Sequence, residues 1–225
     1  MKSASKNAAF TLIELLVVIS IILIATSILF VGAGGGGGGV KLSSAQRIVS
    51  SIAQGARGQA LLKNADTRLI IYSDTNTEGD HEKLLRYFGI VYRVEDSAGG
   101  SPQWVAATQG TYLPEGVYFD PDLSQANNFP AMATVNLEYP RQSPREEGTG
   151  PEFYYIEFNA NGTVKSPEFV NSWLVLRAGT LKPNDEGDLE VDFSEEDKQS
   201  LKSALIFRRV GTTTSVTDPS EISGN

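Results

Sequence analysis

The amino-acid sequence predicts an α+β protein, with a long N-terminal helix, interrupted by glycines, packed on a mostly antiparallel β-sheet. Three observations carry this expectation. Residues 10–33 form an apolar run whose only ionisable side chain is Glu14. Residues 40–65 repeat apolar or small side chains in steps of three and four, the helical period. Beyond residue 66 the pattern changes to short β-rich runs separated by turn residues.

The first element is the apolar run. Phe10 to Ala33 is 24 residues, or about 36 Å as helix against a hydrocarbon core of about 30 Å, enough to span with some tilt. Lys2 and Lys6 precede it, so the positive-inside tendency keeps residues 1–9 in the cytoplasm and sends the C-terminal domain outward. A carboxylate in hydrocarbon costs roughly 2.5–3.5 kcal/mol at mid-span, so Glu14 needs a partner. A second reading competes. The basic start, the apolar run and Val31-Gly32-Ala33 also fit a secretory signal peptide cut after Ala33, which would release an exported, soluble, β-rich ligand-binding domain. Against it, the apolar region exceeds the usual 7–15 residues and carries a Glu.

Gly34–Gly39 is an unbroken run of six glycines. Each costs a helix interior about 1 kcal/mol relative to Ala, so the run reads as a hinge or as a slack linker with no mechanical role. It is not a phosphate loop, because Gly39-Val40-Lys41-Leu42 stands where Gly-Lys-Ser/Thr is required.

From residue 40 to 65 the stem reads as an amphipathic helix, with Leu42, Ala45, Val49, Ile52, Ala56 and Ala60 on one face and cap chemistry at Ser43 and Ser44. Its ionisable residues are Lys41, Arg47, Arg57 and Lys63, with no acid among them. Residues 66–225, the head, hold 13 Lys or Arg against 26 Asp or Glu. A basic stem thus carries an acidic head, which fits a head that covers one stem face with the charges solvated elsewhere, or electrostatic complementarity between copies of the chain.

Within the head, Arg68–Tyr72 is β-rich, and Arg86, Phe88, Ile90, Tyr92 and Val94 share one face of a period-two run. Shorter strands are expected at Trp104–Thr108, Val117–Phe119, Thr134–Tyr139, Tyr154–Phe158, Trp173–Arg177 and Ala204–Arg209. Ala98-Gly99-Gly100, Leu113-Pro114-Glu115-Gly116 and Asn161-Gly162 punctuate them, the last as a hairpin turn. Ser194-Glu195-Glu196-Asp197 has capping-box spacing, which predicts a short helix over Glu195–Ser203.

The chain has no cysteine, so oxidation cannot staple this head. His81, the single histidine, sits in a charged loop, and no catalytic triad can be assembled around it. Asp185, Glu186, Asp188, Glu190 and Asp192 offer oxygen ligands in an order that misses the EF-hand pattern, so no metal and no cofactor is expected. The acidic head also lacks the basic, aromatic-studded surface of a nucleic-acid binder.

The junction Ala9-Phe10-Thr11-Leu12-Ile13-Glu14, followed by an aliphatic helix, resembles the N-terminal signature of type IV prepilins and type II secretion pseudopilins. The resemblance implies that residues 1–9 are a leader, that a membrane-embedded prepilin peptidase cuts between Ala9 and Phe10, and that it methylates the new amine of Phe10. The family usually has Gly where this chain has Ala9. It implies that Glu14 pairs with the Phe10 amine of a neighbouring subunit during assembly, an arrangement that fixes register. Without cysteines the chain cannot form the C-terminal disulfide of many major pilins, which favours pseudopilins and minor pilins. Ala56-Arg57-Gly58-Gln59-Ala60, Leu113-Pro114-Glu115-Gly116-Val117 and Ile156-Glu157-Phe158-Asn159-Ala160-Asn161-Gly162, in this order, are similar to the H-type minor pseudopilins, which include the FimT-like minor pilins. Residues 120–152 and 182–199 depart from that pattern and read as surface insertions. The expectation is a structural subunit, not an enzyme, first anchored in the inner membrane by one pass and then part of a periplasmic filament. Its implied partners are other pilin or pseudopilin subunits, the prepilin peptidase and an inner-membrane assembly platform.

Overall fold

The computed structural model describes residues 13, 15–22, 37–76, 80–95, 103–125, 132–165, 172–184 and 187–222. The chain divides into two units, Met1–Gly37 and Gly38–Asn225. In the first, residues 13 and 15–22 are helical.

The second unit is built on helix α1, Gly37–Lys63, which buries Leu42, Ala45, Gln46, Val49, Ala53, Ala56 and Ala60. This is the face the period-3.6 pattern predicts except that Ile52 is only half-buried at its border, Ala53 is buried, and Gln46 is a polar intruder. Gln46 is buried because its amide donates to the backbone oxygens of Ala204 (3.0 Å) and Val216 (3.1 Å). The helix takes in Gly37–Gly39, so half of the glycine run is helical, while Gly34–Gly36 lie outside the described residues. A Cβ at Gly38 would run into the Leu201 side chain, so glycine there admits a tertiary contact that offsets its poor propensity. Ser43 and Ser44 consequently lie inside the helix rather than at its cap. At the other end Asn64 takes the left-handed conformation, with φ 51°. The Ala65 amide then reaches the Ala60 oxygen at 3.2 Å, closing the helix as a Schellman motif.

Among the described residues the strands are β1 Thr67–Tyr72, β2 Tyr87–Val94, β3 Gln103–Ala106, β4 Thr111–Tyr112, β5 Val117–Asp120, β6 Ala133–Asn136, β7 Glu152–Phe158, β8 Ser172–Ala178, β9 Thr180–Pro183, β10 Leu189–Asp192, β11 Lys202–Phe207 and β12 Thr213–Val216. A short helix α2, Pro121–Gln125, comes directly after β5. One sheet has the order β3-β2-β1-β7-β6 with β4 also on β2, the second β12-β11-β8-β5, and β9–β10 form a hairpin. The pairings between these strands are antiparallel.

The main core lies between the buried stripe of α1 and the inner faces of both sheets. Leu69, Ile71, Phe88, Ile90 and Phe158 come from the first sheet, and Phe119, Leu174, Leu176, Leu205 and Phe207 from the second. A second cluster occupies the other face of the first sheet, where Ile70, Tyr72, Tyr87, Val91 and Phe153 meet Val135 and Leu137, with Tyr139 packed against them. Strands β1 and β2 are therefore apolar on both faces.

The cover over that face comes from within residues 120–152, the stretch expected to be a surface insertion. It roofs the sheet with Leu137 and Tyr139 and extends the β3 edge through backbone bonds between Trp104 and Arg145 and from the Ala106 amide to the Arg141 oxygen at 2.7 Å. The Tyr139 hydroxyl lies where a Cβ at Gly89 would sit, which requires glycine in the middle of β2. The same hydroxyl donates to the Thr108 backbone oxygen at 2.9 Å, and burial pushes the Tyr139 phenol up to about 12.

The helix expected over Glu195–Ser203 is absent. Residues 196–200 form turns, and the chain enters β11 at Lys202. The capping-box spacing gives only local bonds, such as Gln199 N–H to the Glu195 oxygen at 3.1 Å, whereas β11 pairs with β8 on one side and β12 on the other. The Asn161-Gly162 turn forms, with Gly162 at φ 76°, but it closes on a single bridge from Phe158 to Val164 rather than on a full strand.

Candidate functional site

The residues expected from the sequence to take part in processing, Ala9 and Phe10, and in assembly, Glu14, lie outside the described residues, as does Ala33. The helical residues beside them are described. Ile13, Leu15, Leu16, Val17, Val18, Ile19, Ile21 and Ile22 are each at least 48% exposed. Ser20 turns its hydroxyl back on the Leu16 oxygen at 2.8 Å, which satisfies the polar group within its own helix. An apolar helical segment with this exposure calls for a lipid or protein cover. Among the described residues no helix is long and apolar enough to cross a membrane.

The stem presents a second surface. Opposite its buried face, the exposed positions Val40, Ser44, Arg47, Ser51, Gly55, Gly58 and Leu62 succeed one another at spacings of three and four, so they form one stripe along the helix. The spacing of these small residues is visible in the sequence, but their exposure depends on how the sheets wrap α1. Lys41, Arg47 and Lys63 are exposed. Arg57 is half-buried, and its Nε donates to the Gly162 oxygen at 3.2 Å.

The head is organised by a charged cluster that sequence reasoning missed. The Arg68 guanidinium is stacked between Trp104 and Tyr155, 4.0 Å from each ring centroid. Its Nε donates to Glu157 at 2.8 Å and its Nη1 to Glu147 at 2.6 Å. Trp104 Nε1 also donates to Glu147 (2.6 Å), and Lys165 Nζ to Glu157 (2.6 Å). Burial alone would raise the Glu157 carboxyl, but the hydrogen bonds and charges of Lys165 and Arg68 outweigh it and hold the carboxyl below the usual range. The cluster locks β1, β3 and β7 together, and its polar groups face one another rather than a cleft.

The acidic stretch after β9 is engaged in part. Asp192 accepts from Lys182 at 2.8 Å and from the Ser194 amide at 2.8 Å, and the lysine bond holds its carboxyl well below the usual range. Asp185 and Glu186 lie outside the described residues, and among the described residues no group of three His, Cys, Asp or Glu is placed to hold a metal ion. His81 begins a short 3-10 turn, His81–Lys83.

Comparison with known families matches residues 4–30 to the prokaryotic N-terminal methylation motif. That is a type IV pilin-like signal, and it covers the Ala9–Phe10 junction, Glu14 and the exposed apolar helix. Comparisons with curated proteins and with solved structures gave no match.

Proposed function

We propose that this chain is a minor pseudopilin or minor pilin, most like the H-type subunits, of a type II secretion or type IV pilus machine. It is a structural subunit with no catalytic role. The observation that carries the reading is the coincidence of the methylation motif over residues 4–30 with an exposed, apolar helical stretch at residues 15–22. Prepilin peptidase cuts between Ala9 and Phe10, leaving an ammonium on Phe10 that keeps its charge on monomethylation. The chain is held in the inner membrane by residues 10–33 with its head in the periplasm, and the assembly platform then transfers it into a filament of other pilin or pseudopilin subunits. There the carboxylate of Glu14 meets the amine of a neighbour's Phe10. A charge pair in this water-poor setting rewards the correct axial offset and penalises others.

The mature N-terminus tests this directly. Co-expression with a prepilin peptidase, read by mass spectrometry, gives a chain that begins at methylated Phe10. Ala9→Gly leaves that product unchanged or increases it, and a large residue at position 9 blocks it. A chain starting at Met1 or at Gly34 in a host with an active peptidase overturns the reading.

A further inference from the structure

The turn after β7 carries the chain's single Asn-x-Ser/Thr triplet, Asn161-Gly162-Thr163. With any residue but proline in the middle, this triplet is the acceptor for transfer of a glycan to the asparagine amide. Three residues alone are a weak signal, so exposure and conformation decide whether the triplet is usable. Asn161 is exposed, whereas Gly162 is buried and Thr163 half-buried.

The turn is organised around the Asn161 side chain. The Thr163 backbone amide donates to Asn161 Oδ1 at 3.2 Å, and the Thr163 hydroxyl donates to the same oxygen at 2.7 Å. A backbone N–H can only donate, which identifies the bonded atom as the carbonyl oxygen. Asn161 Nδ2 is left without a partner among the described residues. Asn159 holds this arrangement from behind. Its Nδ2 donates to the Thr163 hydroxyl at 3.1 Å, its amide donates to the Thr163 oxygen at 2.8 Å, and its oxygen accepts from the Gly162 amide at 2.7 Å. Gly162 closes the turn at φ 76°, a conformation that favours glycine.

Two reactions compete for an asparagine followed by glycine. In deamidation the Gly162 nitrogen attacks Asn161 Cγ, ammonia leaves and a succinimide forms. Here that nitrogen is engaged by the Asn159 oxygen, and a Cβ at Gly162 would touch Leu61 and Arg57. The folded turn therefore holds the attacking atom away from Cγ. In the second reaction Nδ2 itself is the nucleophile. The two donors on Oδ1 draw electron density toward the oxygen and acidify the Nδ2–H, whose proton must leave as a bond to nitrogen forms. Nδ2 is also the atom that the turn leaves free.

We propose that Asn161 is an N-glycosylation site, modified by a sugar whose anomeric carbon is activated by a diphosphate ester. Nδ2 forms a bond to that carbon, the bond from the carbon to the phosphate oxygen breaks, and the diphosphate leaves with the electron pair. The amide proton passes to a base of the transferase. The surroundings suit the product. Gly162 lies against Leu61, which is 51% exposed, and Gly211, which follows the 59% exposed Val210, lies against Gly162. A hydrated glycan rooted on Asn161 stands over these apolar side chains and keeps the surface soluble. The inference is independent of the filament reading, since it concerns covalent chemistry on the head alone.

Full-length chain isolated from the cells that naturally make it, digested and read by mass spectrometry, gives a peptide with saccharide attached to Asn161. A single hexose marks a nucleotide-sugar donor and an oligosaccharide marks a lipid-linked donor, and either result supports the proposal. Thr163→Ser keeps the modification because the hydroxyl is retained, whereas Thr163→Val and Asn161→Gln abolish it. Asn161 recovered unmodified, or converted to aspartate or isoaspartate, overturns the proposal, as does a glycan that persists in Thr163→Val. The same digest reports whether the chain begins at methylated Phe10, so a failure at Asn161 leaves the assembly reading standing.

Discussion

Arg68 and Glu157 form a buried charged pair at 2.8 Å within the head. Both are buried, Arg68 between the rings of Trp104 and Tyr155 and Glu157 beneath Lys165. Replacing a buried pair with apolar groups is often harmless, but removing one partner leaves the other charge uncompensated. Glu157→Gln is therefore expected to destabilise the head by about 3 kcal/mol, the low end for such a loss, because Glu147 still faces Arg68. Chemical denaturation monitored by circular dichroism measures it. The pH dependence comes from the direction of each shift. Glu157 lies below its ordinary value near 4.5 in the folded chain, so its contribution is complete above that value and is lost as pH falls toward the folded value. Lys165 is raised, first by its bond to Glu157, so its contribution holds below its ordinary value and is lost as pH rises through the folded one. The wild-type head should lose stability below about pH 4.5, and Glu157→Gln should flatten that acid limb. An acid limb of the same depth in the variant would assign acid sensitivity to other carboxylates.

At the level of elements, two glycines in the middle of α1, Gly55 and Gly58, have room for a side chain among the described residues. A Cβ at Gly58 meets nothing within 4 Å, and one at Gly55 meets only Ile90 Cδ1 at 3.5 Å, an ordinary contact. Since Gly in a helix interior is worse than Ala by about 0.5–1 kcal/mol, Gly58→Ala is expected to stabilise the head by that amount. If a neighbouring helix approaches along the exposed stripe, the same variant lowers subunit crosslinking while its melting temperature rises. An unchanged or lower melting temperature would point instead to strain at this position. The buried face of the same helix is legible from residue spacing alone, because burial against two sheets imposes the period that Leu42, Ala45, Val49, Ala56 and Ala60 display. Strands β1, β2, β7 and β8 are legible as β-branched and aromatic runs. Strands β9 and β12 are not, since Thr180–Pro183 carries Lys and Pro, and Thr213–Val216 is a hydroxyl-rich edge strand. The supposed helix over 195–203 shows a local cap signal losing to pairing with β8 and β12. Glu14 announces itself as a carboxylate in an apolar run, whereas the Arg68 cage joins residues 68, 104, 147 and 155 and has no local signature. Residues 137–139 carry no signal of their role, because a roof over a sheet and a surface insertion look alike until the sheet's other face is known to need cover.

Across the whole molecule, the sequence sorts charge and apolarity along the chain into an apolar N-terminal segment, a basic stem without acids and an acidic head. In that order Glu14 stands out, because an isolated carboxylate in hydrocarbon costs roughly 2.5–3.5 kcal/mol at mid-span and gives an anchor nothing in return. Under the proposed pairing, a neighbour's ammonium at Phe10 would change that balance by neutralising the charge only when the two chains are correctly offset. Glu14→Leu is therefore expected to insert as well as the wild type or slightly better, and to be cleaved between Ala9 and Phe10 as before, since the junction itself is untouched. Assembly is where the variant fails. It should accumulate in the inner membrane, lose crosslinks through residues 15–22 and stay out of filaments. A subunit at the tip has no neighbour above it and would not need the carboxylate for its own contact, so its presence argues for a position where that contact is made. Normal crosslinking and full secretion or pilus output by Glu14→Leu at native expression level would show that the carboxylate is a tolerated interfacial charge with no part in assembly.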